Sequence, residues 1–268
     1  MTATTESKGS AERWGPLWGA RPRDWAMNEE RQLPNYEEAI RRVGISAGDR
    51  VLEVGCGTGV FLAEAARCGA EVFGLDASEA LLELARERVP SAELRAGDME
   101  SLPWGDGEFD LVCGFNCYFF AADMVAALRE SGRVAKPGAP VVIQVWGDPE
   151  RCALEATKDV IRSHMPPPPP DAPPPPKFHE PGVLEAIATE AGLAPEEAFD
   201  LSWAYEYGDE ETLGRAMLAP MGIGAVVGPE REDEVRRELV ASLASCRRGD
   251  GSYSIPNEFR FLIARAPA

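Results

Sequence analysis

The residues with the clearest capacity for chemistry are three glycines at spacing two, Gly55, Gly57 and Gly59, framed by the carboxylates Glu53 and Asp76. Glycines so spaced let a ligand lie against the backbone and let the chain take positive φ, and a Cβ resists both. The apolar run at 50–54 predicts a buried strand, and 60–67 predicts an amphipathic helix. Strand, tight turn and helix make the first half of a nucleotide-binding βαβ unit, whose helix N-terminus favours a carboxylate or phosphate. Such turns also occur as plain strand–helix connections, so the triplet alone decides nothing. A second strand at 71–75 ends at Asp76, about 20 residues beyond Gly55, where a carboxylate accepts two hydrogen bonds from a ribose diol.

Further along, the chain repeats this kind of signal in order. Glu53-Val54-Gly55-Cys56-Gly57-Thr58-Gly59 resembles the first motif of class I S-adenosylmethionine-dependent methyltransferases. It departs from the dinucleotide fingerprint in placing the third glycine one residue earlier and in having Glu53 two residues before the first. Gly74-Leu75-Asp76-Ala77-Ser78 resembles the ribose-binding motif of that family, and Gly97-Asp98-Met99-Glu100-Ser101-Leu102-Pro103 the adenine-binding segment. Phe109-Asp110-Leu111-Val112 resembles the fourth strand, and Lys136-Pro137-Gly138 the turn before the fifth. The family's usual Leu and Gly on either side of that turn are Ala135 and Ala139 here, at positions that do not touch the cofactor.

The resemblance implies an α/β fold: a doubly wound, seven-stranded, mostly parallel sheet of the Rossmann-like type, with its last strand antiparallel and a helical cap. It implies S-adenosyl-L-methionine as cofactor and S-adenosyl-L-homocysteine as product. The turn Gly55-Cys56-Gly57-Thr58-Gly59 then passes under the cofactor, and Glu53 lies near the methionine ammonium, the alternative being a strand-end carboxylate in solvent. Asp76, with Ala77 beside it, takes the ribose hydroxyls. Asp98 accepts from the adenine amino group, and the Met99 N–H meets a ring nitrogen. Phe115 and Asn116 lie beside the sulfonium. Asp110, at the far end of its strand, reads as structural.

The acceptor is less sharply written. Tyr118 and Phe119 follow strand four, where the family places acceptor contacts. With Trp146, the N-terminal Trp14, Trp18, Trp25 and Tyr36, and the cap residues Met217 and Met221, they imply an apolar or aromatic small molecule. The tryptophan-rich segment either roofs the site or packs on the sheet edge, and Tyr36 either faces the methionine end of the cofactor or packs at the surface. Of the two histidines, His164 and His179, His179 precedes the cap helix and is the candidate base, or else a helix cap. An amine or reactive carbon needs no base. The function implied is a small-molecule methyltransferase of secondary metabolism, acting on oxygen, nitrogen or carbon. The alternative is a cyclase or pericyclic catalyst on the same fold that uses the sulfonium charge without methyl transfer.

Composition is compatible with these expectations. The chain has 268 residues, 44% hydrophobic and 27% charged, as in an ordinary globular protein. Its net charge of −18 repels nucleic-acid phosphate, though acidity also simply aids solubility. The six cysteines form no C-x-x-C pair and no zinc-spaced cluster, so neither disulfide framework nor metal is expected. No apolar run approaches about 18 residues, and the expectation is a cytoplasmic monomer or homodimer without membrane contact. The organisation expected is an N-terminal lid at 1–45, disordered at its start, a cofactor-binding core at 46–207, a cap insertion at 208–256 and a closing strand at 257–268. Residues 149–163 read as a helix, the proline runs at 166–176 as an exposed extended loop, and 199–207 as a strand.

Overall fold

A computed structural model describes residues 9–164 and 176–268. The loop expected at 166–176 therefore lies, apart from Pro176, outside the described residues. Seven strands form one sheet in the order β3-β2-β1-β4-β5-β7-β6. They are β1 (Arg50–Val54), β2 (Glu71–Asp76), β3 (Glu93–Ala96), β4 (Leu111–Phe115), β5 (Pro140–Trp146), β6 (Ala194–Tyr207) and β7 (Tyr253–Arg265). β7 runs antiparallel to both neighbours, and the other pairings are parallel. The strand order reverses between β1 and β4, so the edge beyond their C-terminal ends is the crevice where open α/β sheets bind ligands.

The central strands are mostly apolar because both of their faces are covered, with Glu53 in β1 and Gln144 in β5 as buried polar exceptions. Along β1 and β4 alternate residues serve opposite cores. Val51, Leu111, Cys113 and Phe115 pack on one face, and Leu52, Val54 and Val112 on the other. The covering helices include α1 (Ser10–Trp18), α2 (Pro22–Glu30), α3 (Leu33–Val43), α4 (Val60–Arg67), α5 (Glu79–Arg88) and α6 (Met124–Val134). Ser78 caps α5, as its position before the helix suggests, accepting from Leu81 N–H at 3.4 Å.

After β5 come 3-10 turns at Pro149–Arg151 and Ala153–Thr157, then α7 (Lys158–His164) and α8 (Val183–Glu190). A continuous helix was expected over 149–163. Cys152 breaks it: it is extended and buried, with its thiol against the Glu258 backbone. The insertion between β6 and β7 holds α9 (Glu210–Leu218), α10 (Ile223–Val227) and α11 (Glu232–Ser242). It packs on α1, α2 and α7, so three separated stretches build one helical layer over the sheet edge.

Two strands outrun their expected bounds. β6 begins at Ala194 rather than 199, in an Ala/Glu/Pro stretch with no strand signature. Its partner imposes the conformation through the register, with a bulge between Pro195 and Glu197. Asp200 opposite Arg260 forms an ion pair at 3.1 Å, and Phe199 stacks on Phe261 at 4.8 Å. β7 begins at Tyr253 rather than 257, and the intervening Pro256 is exposed within it. The N-terminus also departs from expectation, since α1 starts at Ser10 in a stretch expected to be disordered.

Candidate active site

The Gly-rich turn is built from backbone. Gly55 and Cys56 N–H both donate to Leu75 O, at 2.7 and 3.0 Å. Gly55, Gly57 and Gly59 take φ of +70°, +52° and +77°. A Cβ on Gly55 would stand 2.6 Å from Cys117 Cβ, which ties the turn to the end of β4. Gly57 N–H donates to Asp76 Oδ2 at 2.8 Å, and Ser78 N–H to Asp76 Oδ1 at 2.8 Å. Each Asp76 oxygen thus keeps a lone pair for a further donor. Burial pushes its pKa up to about 6 against the pull of those backbone bonds.

Glu29, on α2, was not anticipated. It is 3% exposed. Oε2 accepts from Thr58 N–H at 2.8 Å and Oε1 from Val60 N–H at 3.2 Å. An internal carboxylate therefore sits on the N-terminus of α4, where a phosphate would otherwise bind. Burial raises its pKa to about 7, while the backbone bonds and Arg88 pull the other way. Glu53 is 1% exposed, which removes the solvent-facing alternative, and its Oε2 has no partner among the described residues. Burial, then the charges of Glu29 and Asp76, hold it well above the ordinary carboxylate range. Three buried carboxylates thus surround the turn.

Beside the turn opens a cavity of about 530 Å³. Gly55, Gly57, Asp76, Ala77 and Met99 line one end, and Phe115 and Asn116 its middle. Asn116 holds φ +51°, a left-handed conformation asparagine tolerates, and its Nδ2 donates to Gln32 Oε1 at 3.3 Å. The other end is aromatic: Trp14, Trp18, Trp25, Phe119 and Trp146 border it, with Tyr36 and the cap residues Met217 and Met221. Trp18 meets Trp25 edge-on at 4.6 Å, and Trp14 meets Phe120 at 4.8 Å. The roof is held to the insertion by Asn28 Nδ2, which donates to Ala216 O at 2.6 Å, and by Arg215 with Asp24 at 2.6 Å.

Other expected residues sit elsewhere. Tyr118 is fully buried in the core, its hydroxyl 2.9 Å from Ser131 Oγ, and does not border the cavity. After the left-handed Asn116 the chain enters a 3-10 turn at Tyr118–Phe120, which sends this ring inward and Phe119 and Phe120 outward. His179 lies in the turn before α8 and does not border the cavity. Cys56 and Gly59 are behind the turn, against Gly74 and Ala85 respectively. Asp98 caps α1 instead of lining the cavity. Its Oδ1 accepts from Ser10 Oγ at 2.9 Å and Glu100 N–H at 3.0 Å, and its Oδ2 from Ala11 N–H at 3.0 Å. Burial pushes this carboxyl up, but those bonds outweigh it and hold it below its usual range. Residues without any sequence motif also line the site, among them Glu29, Gln32, Glu155, Lys158 and Tyr205.

Residues 51–138 match a family model described as a methyltransferase domain. The demethylmenaquinone methyltransferase of Tropheryma whipplei (strain Twist) is 35% identical over 118 residues, 42% of this chain and 48% of that protein. The chain thus matches about half the length of that relative. A putative methyltransferase from Bacillus halodurans shares the fold with TM-score 0.59 at 18% identity, covering 88% of this chain and 100% of that one. The [4+2]-cyclase SpnF does so with TM-score 0.59 at 19% identity, covering 88% and 81%. Residues 51–138 are thus a methyltransferase domain, and the sheet order and the Gly-rich turn give the chain the class I, Rossmann-like methyltransferase fold.

Proposed function

We propose that this chain transfers a methyl group from S-adenosylmethionine to an apolar or aromatic small molecule of secondary metabolism, at oxygen, nitrogen or carbon. The observation that carries the proposal is the two-ended cavity. A glycine floor with a fixed carboxylate, Asp76, opens without a break into an aromatic roof. The residues fit the cofactor. Gly55 and Gly57 present bare backbone to the cavity, Asp76 has lone pairs to spare for a diol, and Glu53 Oε2 is an orphaned buried carboxylate oxygen. The cofactor supplies a methyl group activated by a sulfonium.

The protein's own part is to bind, orient and exclude water. Glu53 and Glu29 oppose the cofactor's positive charge, Phe115 and Asn116 flank the reacting end, and the tryptophans keep water from competing for the methyl group. No histidine is among the described lining residues, so no proton transfer is assigned to His179. The Tropheryma relative is a demethylmenaquinone methyltransferase, and an apolar aromatic acceptor suits the lining of this cavity.

The fold also occurs in a [4+2]-cyclase, so the test must detect the transfer itself. The chain is incubated with methyl-labelled S-adenosylmethionine and a panel of naphthols, phenols and arylamines. Label in an organic product with matching release of S-adenosylhomocysteine is expected. Tight binding of the cofactor with no such release across the panel would count against methyl transfer.

A further inference from the structure

Two tyrosines in the cavity wall have hydroxyls without a partner among the described residues. Tyr36 on α3 is 2% exposed and Tyr205 on β6 is 4% exposed, and both border the cavity. No hydrogen bond joins either hydroxyl to another described residue, and neither is among the atoms sealed from the cavity. Tyr118 and Tyr207 differ: one hydroxyl meets Ser131 Oγ at 2.9 Å and the other donates to Asn28 Oδ1 at 2.6 Å.

The rings themselves are pinned. Tyr36 packs against Phe115 at 4.8 Å and Phe61 at 5.9 Å. Tyr205 packs against Phe259 at 6.0 Å and Trp146 at 6.5 Å. Phenylalanine would make the same contacts, and the hydroxyl adds a donor that only the cavity can use. The two hydroxyls are therefore matched to something that enters the cavity.

Both phenols keep their protons. Burial raises Tyr36 far above its ordinary range, with Glu29, Glu53 and Tyr205 adding to it, and burial does the same for Tyr205. Phe115, against Tyr36, pairs in register with Gln144, two residues before the Trp146 that packs on Tyr205, so the two rings lie on neighbouring parts of one wall. A neutral O–H in such a site donates, and two of them can converge on one oxygen. Lys158 is the one cation among the described lining residues, and Glu155 on the same segment holds it at 2.6 Å. An acidic acceptor would therefore find no free cationic side chain among the described lining residues.

We propose that Tyr36 and Tyr205 form a two-point clamp for an oxygen on the acceptor, which makes the acceptor class a neutral phenol, enol or quinol rather than a hydrocarbon or an acid. The word acceptor rests on the methyltransferase assignment; the clamp itself is a binding claim with its own readout. The probes are 1-naphthol, naphthalene and 1-naphthoate, titrated by quenching of tryptophan fluorescence with and without S-adenosylhomocysteine.

The expected result is that 1-naphthol binds at least about tenfold tighter than either other probe. Tyr36→Phe and Tyr205→Phe should each weaken 1-naphthol by roughly five- to tenfold, the loss of one hydrogen bond. Naphthalene should be unchanged in both variants. The proposal is overturned if 1-naphthol binds no tighter than naphthalene, or if either substitution leaves 1-naphthol unchanged or weakens both probes alike. A wild-type chain that prefers 1-naphthol but fails to bind S-adenosylhomocysteine would keep the clamp and remove the methyltransferase assignment.

Discussion

Glu29 accepts the Thr58 N–H at 2.8 Å, and that bond joins the N-terminal lid to the Gly-rich turn. The helix that carries Glu29 also carries Trp25, a wall of the aromatic end. The Gly-rich turn and the aromatic wall of the cavity are therefore tied to one helix. The carboxylate also fills the anion position of α4, which disfavours a phosphate-bearing ligand there and favours a cationic one.

The first prediction concerns pH. Glu29 and Asp76 titrate near 7 and 6 in the folded chain, against ordinary values of 4.5 and 3.8. With pKa values raised on folding, the native state binds more protons than the unfolded one across this window. Stability of the free protein is greatest below about pH 4 to 4.5 from these groups and is lost as pH rises through 6 and 7, by on the order of 3 kcal/mol for each group. A cationic ligand favours the ionised forms, so S-adenosylmethionine should bind more tightly at pH 8 than at pH 6 and release protons as it binds. Melting curves from pH 5 to 8 and calorimetry in buffers of different ionisation enthalpy measure both effects. Glu29→Gln should flatten the upper part of the slope. An unchanged slope in that variant would remove Glu29 from the account.

Asp76→Ala should weaken S-adenosylhomocysteine by about 1.5–3 kcal/mol, the range for hydrogen bonds to a charged group. Because Gly57 and Ser78 N–H both donate to this carboxylate, the variant should also lose stability. Asp110→Ala, at the opposite end of the sheet, should lose stability without loss of affinity, since Asp110 pairs with Lys136 at 2.6 Å and accepts from Arg50 N–H at 3.0 Å. Calorimetric titration of both folded variants separates the two roles. Equal affinity in both would refute the assignment of Asp76.

Trp18 and Tyr118 should behave differently, although both were expected to wall the pocket. Trp18→Ala opens the aromatic end and should reduce 1-naphthol binding while leaving S-adenosylhomocysteine affinity near normal. Tyr118→Ala empties a core site and leaves Ser131 Oγ without that partner, so it should cost about 3–5 kcal/mol of stability. Parallel denaturant titrations and probe binding decide. A stable Tyr118→Ala chain that loses only the probe would return this ring to the cavity wall.

What was legible in the chain was what neighbours in sequence dictate. The run 50–59 contains its own strand, its own turn glycines and its own helix start, and Asp76 closes the same local unit. Ser78 could be read as a cap because the helix it caps follows at once. Glu29, by contrast, acts on Thr58 and Val60 from a separate helix, and no spacing records that contact. Tyr205 alternates with exposed positions in an edge strand, so its pattern gives a face and not a cavity. Tyr118 was misplaced because one left-handed residue, Asn116, reverses which following side chains point inward. The start of β6 was hidden because its partner strand, not its composition, holds it extended.

Asp98 sets the last prediction, because two demands meet on one carboxylate. The resemblance gives it the adenine amino group, while Ser10 Oγ and Ala11 N–H already bind it and start α1. Gly97 and Met99, its neighbours, border the cavity, and so do Ser10 and Ala11. The expected adenine site and the first helix thus meet at this residue. Ser10→Ala removes one bond from the latch and leaves the carboxylate in place, whereas Asp98→Ala removes the cap and any bond to adenine together. Loss of a helix cap costs about 0.5–2 kcal/mol, and the freed helix should be cut faster by protease near residues 10–18. If Asp98 serves both, cleavage should rise in the two variants, while S-adenosylhomocysteine affinity falls clearly further in Asp98→Ala than in Ser10→Ala. Limited proteolysis followed by mass spectrometry, with calorimetry on the same samples, measures the pair. Equal affinity in the two variants would make Asp98 a latch for the lid and leave the adenine amino group to another partner.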